Sequence, residues 1–234
     1  MDQEHILYSI KKADLATLTN AAMGFAATIC LIQHNFDCAA ILIILAAIAD
    51  GVDGAISRRC AYSPLGKHLD SLADAISFGM VPATATYLLI TPRNIVLAFV
   101  LAILFLSCGL LRLARFTTRT EIMMDFQGIP ITAAGLTIML LIVQRETTEL
   151  FPHILTAMIV ILSTLMVSRI TYPKVQDKRI ITILAVTMIA TILAYTLKEE
   201  TLKIVAGVLL TMLLAYTTTP TIKITRKEKE TKNV

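Results

Sequence analysis

The sequence predicts an all-α fold: a polytopic integral membrane bundle of about eight transmembrane helices, with both termini in the cytoplasm. Three observations lead to this prediction. Hydrophobic residues make up 56% of the 234 residues and charged residues only 16%, whereas a soluble domain carries about 25% charged residues. The apolar residues come in blocks of roughly 17–25 residues, the length that crosses about 30 Å of hydrocarbon. The basic residues are also distributed unequally between the two ends of these blocks.

Helix-breaking residues divide the apolar sequence into its spans. The segment from Asn35 to Asp37 separates the first two spans, Pro64 precedes the third, and Pro92 follows it. Pro82 lies inside the third span and is expected to bend it, because proline cannot donate a helical hydrogen bond. The predicted spans are residues 15–33, 38–58, 66–90, 94–116, 129–145, 152–168, 179–196 and 201–217.

The Lys and Arg residues indicate the orientation. With the N-terminus in the cytoplasm, 17 of the 21 basic residues lie on the cytoplasmic side. Short loops rich in Lys and Arg remain cytoplasmic, so both termini and the segment between the second and third spans are expected there. We expect one transmembrane domain over residues 1–218 and a charged cytoplasmic tail over 219–234 that touches anionic lipid. The four cysteines show no paired spacing, so we expect packing residues and not a disulfide.

Four aspartates lie where the second span ends and the third begins: Asp50, Asp53, Asp70 and Asp74. One Asp at a helix centre costs roughly 2.5–3.5 kcal/mol in lipid, so four need a compensating charge. Spacings of three and four residues place each pair on one face of its helix. We therefore expect the four carboxylates to converge on one point and bind Mg²⁺ or Mn²⁺, with two ions about 3.5–4 Å apart able to clamp a phosphoryl group.

Other residues near the aspartates are suited to a phosphate ligand. Glycines at 51, 54 and 66 allow close approach of the backbone, and Arg58 offers a fork of donors. Ser63 and Lys67 add polar groups at the same level. The alternative is that the acids form an interfacial salt-bridge rim with nearby basic side chains: Arg58, Arg59, Lys67 and His68.

The stretch from Asp50 to Asp74 resembles the signature of the CDP-alcohol phosphatidyltransferase family, D-x2-D-G-x2-A-R-x8-G-x3-D-x3-D. Seven residues occupy motif positions: Asp50, Asp53, Gly54, Arg58, Gly66, Asp70 and Asp74. Ser57 replaces the alanine of the signature, and seven residues instead of eight separate Arg58 from Gly66. The resemblance implies a six-helix family core, here followed by extra C-terminal helices, and a homodimer.

The resemblance also implies a reaction in which a CDP-linked lipid transfers its lipid phosphate to an alcohol and CMP is released. It implies that the four aspartates bind metal and that Asp74 also acts as general base. Gly54, Arg58 and Gly66 would bind the CDP-lipid, with Ser63 as a further contact, and either Arg58 or Arg59 would meet the diphosphate. Asn20, a polar residue inside an apolar helix, could hydrogen-bond the CDP-lipid or another helix. An active site at the cytoplasmic face of the cell membrane follows from the predicted orientation.

Sequence beyond the signature resembles the phosphatidylserine synthase branch of the family. The similar runs are D-S-L-A-D-A-I-S-F-G-M-V-P-A from Asp70, G-L-L-R-L-A-R-F from Gly109, F-Q-G-I-P-I-T-A-A-G from Phe126, and the N-terminal T-L-T-N-A-A-M-G. The expected substrates are L-serine and either CDP-diacylglycerol or CDP-archaeol, and no nucleic-acid partner is expected. Arg112 and Arg115, three residues apart on one helix face, could receive the serine carboxylate or a lipid phosphate, or could be positive-inside anchors.

Two other functions are compatible with parts of the sequence. A synthase of the same family that uses glycerol 3-phosphate or inositol phosphate needs an extra basic cluster, which Arg112, Arg115 and Arg119 could supply. A divalent-cation transporter would need acids near the middle of the membrane that several helices approach. The later spans are nearly free of acids, which favours the transferase.

Overall fold

The computed structural model describes residues 12–57, 65–117, 126–146, 148–172 and 177–231. Helices form nearly all of these residues. They are α1 (Lys12–Ile32), α2 (Phe36–Ser57), α3 (Gly66–Asp74), a π-helical segment (Ala75–Met80), α4 (Val81–Ile90), α5 (Ile95–Thr117), α6 (Ile131–Val143), α7 (Phe151–Val167), α8 (Lys178–Tyr195) and α9 (Glu199–Thr231). Since α3, the π segment and α4 are continuous, the helices correspond to the eight predicted spans, and the predicted helical bundle is confirmed.

Among the described residues, five helical stretches are long and apolar enough to cross a membrane: 14–32, 66–90, 95–117, 178–195 and 199–219. Helix α2 is equally long, but it carries Asp37, Asp50 and Asp53. Helices α6 and α7 have 13 and 17 residues. At 1.5 Å per residue, α6 measures only about 20 Å, so it is shorter than the hydrocarbon thickness.

The short helix α6 lies at the centre of the bundle. Nearly every residue from Ala134 to Val143 is buried, as expected for a helix that is apolar all round. It packs against α2, α7, α9 and the π segment. Gly135 is required there, because a Cβ atom at this position would lie 2.7 Å from the carbonyl oxygen of Phe78. This close contact brings α6 against the helix that carries Asp70 and Asp74.

A π-helical segment lies directly before Pro82, and the bend expected at this proline stays a prediction. The backbone N–H of Val81 donates to the carbonyl of Ile76, five residues earlier. Pro82 has no N–H to continue the regular pattern, and a widened π turn is a common way to absorb such an interruption. The widened turn follows Asp74 immediately.

In the described part of the chain, the regular structure outside the helices is a two-residue antiparallel pairing of β1 (Phe126–Gln127) with β2 (Thr171–Tyr172). Gly128 follows β1 with a φ of 78°, and a Cβ atom there would lie 2.2 Å from the carbonyl oxygen of Met166. A left-handed conformation with so little space requires glycine. The pairing ties the end of α7 to the start of α6 and leads the chain towards α8.

Candidate active site

Three carboxylates from two helices meet at one end of the bundle. Asp50 of α2 and Asp70 and Asp74 of α3 each offer one oxygen, and these oxygens lie within 4.8 Å of one another. Asp74 is buried, whereas Asp50 and Asp70 are half-buried. Residues four apart in a helix differ by only about 40° in direction, which explains why Asp70 and Asp74 point the same way.

Asp53 is not part of this cluster. The expectation that all four carboxylates converge on one point is therefore wrong for Asp53 and right for the other three. Asp53 Oδ2 accepts a hydrogen bond of 2.6 Å from the hydroxyl of Thr17 on α1. Asp53 lies three residues after Asp50, so the two side chains diverge by about 60° around α2, and Asp53 faces α1. It still interacts electrostatically with Asp50 and Asp70.

The sequence reasoning missed the contribution of α1 around Asp53. Asp14 and Thr17 are each only 3% exposed, and Asp14 acts electrostatically on Asp53. Together with Asn20 they occur every three residues, which places them on one helix face. That spacing of three polar residues near the start of an apolar helix is the signal that could have identified them.

Asn20 is held against Asp74. The side-chain Nδ2 of Asn20 donates to Asp74 Oδ1 at 3.3 Å, and the backbone carbonyl of Asn20 accepts from the Ser77 hydroxyl at 2.9 Å. Gly24, one turn later, permits this close packing, because a Cβ atom there would lie 2.4 Å from Ser77 Oγ. Asn20 therefore contacts the carboxylate cluster, and its predicted contact with the CDP-lipid stays a prediction.

The chemistry of the cluster fits a divalent cation. At an effective dielectric constant of 20, two ionised carboxylates with oxygens 4.8 Å apart repel by about 3.5 kcal/mol. Asp70 Oδ1 is buried and has no hydrogen-bond partner among the described residues. Buried oxygens without a partner are costly unless a cation or donor meets them. Three carboxylates form the hard oxygen donor set that Mg²⁺ and Mn²⁺ prefer.

The alternative of a salt-bridge rim has no support in the described part of the chain. There, none of the four aspartates forms an ion pair within 4.0 Å. Lys67 instead donates to the carbonyl of Thr117 at 3.2 Å and lies 5.6 Å from the centre of the Phe116 ring. His68 is exposed. Arg58, Arg59 and Ser63 lie outside the described residues.

Among the described basic residues, Arg112 of α5 faces the carboxylates. It is 8% exposed, and its electrostatic partners include all three clustered aspartates, of which Asp74 contributes most. The guanidinium lies 5.8 Å from the centre of the Phe116 ring. Among the described residues Arg112 makes no side-chain hydrogen bond, so its planar set of donors is available to an anionic ligand.

Tyr216 of α9 also approaches Arg112, and the sequence reasoning did not anticipate this. It interacts electrostatically with Arg112 and packs against Tyr172, with ring centres 5.6 Å apart. The hydroxyl of Tyr172 in turn donates to the carbonyl of Thr217 at 3.3 Å. Helix α9 is thereby fixed beside the site. The packing of α9 against α6 and β2, which the sequence does not reveal, brings Tyr216 there.

Arg115 points away from the cluster. Its Nη2 donates to the carbonyl of Val167 at 2.8 Å and its Nη1 to that of Ser168 at 3.0 Å. These carbonyls end α7, where a positive charge is favourable. Arg115 thus has a structural role, and its predicted role in acceptor binding stays a prediction.

The glycines near the cluster leave space at its edge. Gly54 and Gly66 are both half-buried. A Cβ atom built at Gly51 would have no described neighbour within 4 Å. The α2 backbone at Gly51, beside Asp50, is therefore not covered by described residues.

Comparison with known proteins agrees with this arrangement. The family model for CDP-alcohol phosphatidyltransferases matches residues 11–170. The chain belongs to the CDP-alcohol phosphatidyltransferase family. The matched region contains the first six spans and all of the clustered carboxylates, whereas α8, α9 and therefore Tyr216 lie outside it.

Several curated proteins are similar to this phosphatidyltransferase. Archaetidylserine synthase of Methanothermobacter thermautotrophicus is 33% identical over 180 residues, which cover 75% of both chains. CDP-diacylglycerol–serine O-phosphatidyltransferase of Methanocaldococcus jannaschii is 35% identical over 187 residues, covering 78% of this chain and 85% of the relative. The protein of the same name from Bacillus subtilis is 32% identical over 160 residues, covering 68% and 88%.

Proposed function

We propose that this membrane protein transfers the phosphatidyl or archaetidyl group of a CDP-linked lipid to the hydroxyl of L-serine and releases CMP. The observation that supports this most strongly is the cluster of Asp50, Asp70 and Asp74 beside the buried Arg112. Such a site offers oxygen ligands for a metal and a cation for an anionic substrate. The similarity to relatives named for serine transfer supports serine as the acceptor.

In the proposed reaction, the serine hydroxyl oxygen attacks the phosphorus atom that bears the lipid. The bond from that phosphorus to the bridging oxygen breaks, and CMP leaves with this oxygen. Asp74 accepts the hydroxyl proton, and the hydrogen bond from Asn20 Nδ2 at 3.3 Å orients its carboxylate. Holding the two substrates in line supplies much of the rate, since alignment replaces a bimolecular encounter.

The three clustered carboxylates, with Asp53 beside them, are proposed to hold one or two Mg²⁺ or Mn²⁺ ions. When bound, the metal would neutralise charge on the phosphate oxygens and lower the barrier to displacement. Gly54, Arg58, Ser63 and Gly66 are proposed to bind the CDP portion.

Arg112 is proposed to bind the carboxylate of serine. Its guanidinium is buried, faces the aspartates and can pair with a carboxylate through two parallel hydrogen bonds. The Lys67 ammonium group lies 5.6 Å from the centre of the same Phe116 ring and is proposed to contact a phosphate oxygen. The unequal distribution of basic residues supports a site at the cytoplasmic face, where water-soluble serine and the lipid headgroup meet. A homodimer is proposed from the family resemblance.

An acceptor panel tests the proposal. The purified protein in lipid is given CDP-diacylglycerol or CDP-archaeol together with L-serine, glycerol 3-phosphate or inositol phosphate, with Mg²⁺, Mn²⁺ or a chelator. We expect CMP release with serine and metal only, and mass spectrometry of the lipid shows which donor is used. Preferred turnover of glycerol 3-phosphate or inositol phosphate would identify a different synthase.

Matched variants exclude a contaminating activity. Asp50→Asn should be inactive, and Glu149→Gln, which changes an exposed carboxylate in the α6–α7 loop, should be fully active. Absence of CMP release with every acceptor, combined with metal uptake into vesicles that depends on Asp50, would instead support a cation transporter.

A further inference from the structure

Two cysteines meet at the end of the bundle opposite to the carboxylate cluster. Cys30 lies in the last turn of α1 and Cys38 in the first turn of α2, and their Sγ atoms are 2.8 Å apart. Both side chains are half-buried. The two cysteines lie on different helices that a turn connects, so the spacing within one helix could not reveal the pair. Cys30, Cys38 and Cys108 are all free thiols in the structure, and Cys108 lies on α5, elsewhere in the bundle.

The turn between the helices fixes this approach. The N–H of Asn35 donates to the carbonyl of Cys30 at 2.9 Å, and the N–H of Cys38 donates to Asn35 Oδ1 at 3.0 Å. His34 between them adopts a left-handed conformation with a φ of 57°. Asn35 therefore holds the backbones of both cysteines, and the meeting of the two sulfurs does not depend on a loose loop.

We propose that Cys30 and Cys38 form a disulfide that cross-links the ends of α1 and α2. In the proposed orientation this end lies on the side of the membrane opposite to the cytoplasm. Disulfides persist on that side, because the reducing thiols of the cytoplasm are absent. A small-molecule disulfide is a sufficient oxidant. One cysteine thiolate displaces a thiol from it to form a mixed disulfide, and the second cysteine then displaces the other thiol. The two cysteines lose two electrons and two protons, and the oxidant becomes two thiols.

The cross-link would stabilise the helix pair that builds the site at its other end. Helix α1 contributes Thr17 and Asn20, and α2 contributes Asp50 and Asp53. Closing a loop in the unfolded chain stabilises the folded one. The inference goes beyond the proposed transferase function and does not depend on it.

The test is alkylation and mass spectrometry of the full chain in membranes, after incubation with oxidised or reduced glutathione. Trypsin leaves both cysteines on one peptide, residues 13–58, because no Lys or Arg lies between them. After oxidation we expect this peptide to be unalkylated and two hydrogens lighter than its reduced form. The Cys108 peptide, residues 94–112, is the internal control and should remain alkylated.

Thermal unfolding gives a second readout. The oxidised protein should unfold at a temperature higher by roughly 4–8 °C. This difference should vanish in Cys38→Ser and persist in Cys108→Ser. Alkylation of Cys30 and Cys38 as complete as that of Cys108 after oxidation would overturn the proposal, as would glutathione adducts on both cysteines in place of a bond between them.

Discussion

Replacement of Asp70 by Asn should stabilise the metal-free protein while weakening its response to metal. The three clustered carboxylates lie within 4.8 Å of one another, so at an effective dielectric constant of 20 each ionised pair repels by about 3.5 kcal/mol. Asp70→Asn removes two of these repulsions and keeps the shape of the side chain. Because Asp50 and Asp70 are half-buried, solvent screening reduces the gain, and we expect a net stabilisation of about 2 kcal/mol.

The assay is thermal unfolding of the purified protein in detergent, first with a chelator and then across a Mn²⁺ titration. A gain of about 2 kcal/mol corresponds to an increase of roughly 4–8 °C in Tm for a protein of this size. Wild-type protein should gain Tm with added Mn²⁺, since a ligand at one hundred times its Kd stabilises by about 2.7 kcal/mol. Asp70→Asn should gain much less.

Glu149→Gln is the matched control, because it neutralises an exposed carboxylate far from the cluster. It should behave as the wild type in both conditions. The reasoning is refuted if Asp70→Asn lowers Tm in the chelator and keeps the full Mn²⁺ response. That result would mean that Asp70 stabilises the fold through contacts with protein groups and not as a ligand of metal.

Three further variants test other parts of the site. Asp74→Asn should abolish turnover while largely preserving CDP-lipid binding by calorimetry; loss of binding with normal residual chemistry would contradict its role as base. Arg112→Gln should raise the KM for serine by about 10–100-fold, the effect of losing a charged hydrogen bond, with a smaller change in kcat; an unchanged KM would place the serine carboxylate elsewhere. Thr17→Val should destabilise the protein by about 1–3 kcal/mol, because it removes the side-chain donor of the buried Asp53 carboxylate, and Thr17→Ser should restore stability; equal Tm values for all three proteins would show that this hydrogen bond is unimportant.

The helices were largely predictable because each is one apolar block bounded by polar or helix-breaking residues. The third span coincides with Gly66–Ile90, and most other predicted ends lie within two residues of the observed ones. The last helix is the exception. Its apolar run ends near residue 217, but the helix continues to Thr231. Hydropathy marks where a segment leaves lipid, whereas the Lys and Glu residues that follow are good helix formers in water.

The aspartates were predictable in type and spacing, but their partners were not. Helical periodicity placed Asp70 and Asp74 on one face, and it also placed Asp53 about 60° away from Asp50 around α2. That Thr17 would meet Asp53 depends on how α1 packs against α2. The position of Tyr216 likewise depends on a contact between α9 and β2. Such contacts between helices come from the packing of whole surfaces, which periodicity within one segment does not encode.

The most direct test of the proposed reaction uses L-serine labelled with ¹⁸O in its hydroxyl group. The purified protein is incubated with labelled serine, the CDP-lipid that it accepts and Mn²⁺, and both products are analysed by mass spectrometry. Attack by the serine hydroxyl on the lipid phosphorus predicts that the label is retained in full in the serine lipid and is absent from CMP. A serine lipid without the label, or labelled CMP, would contradict the account.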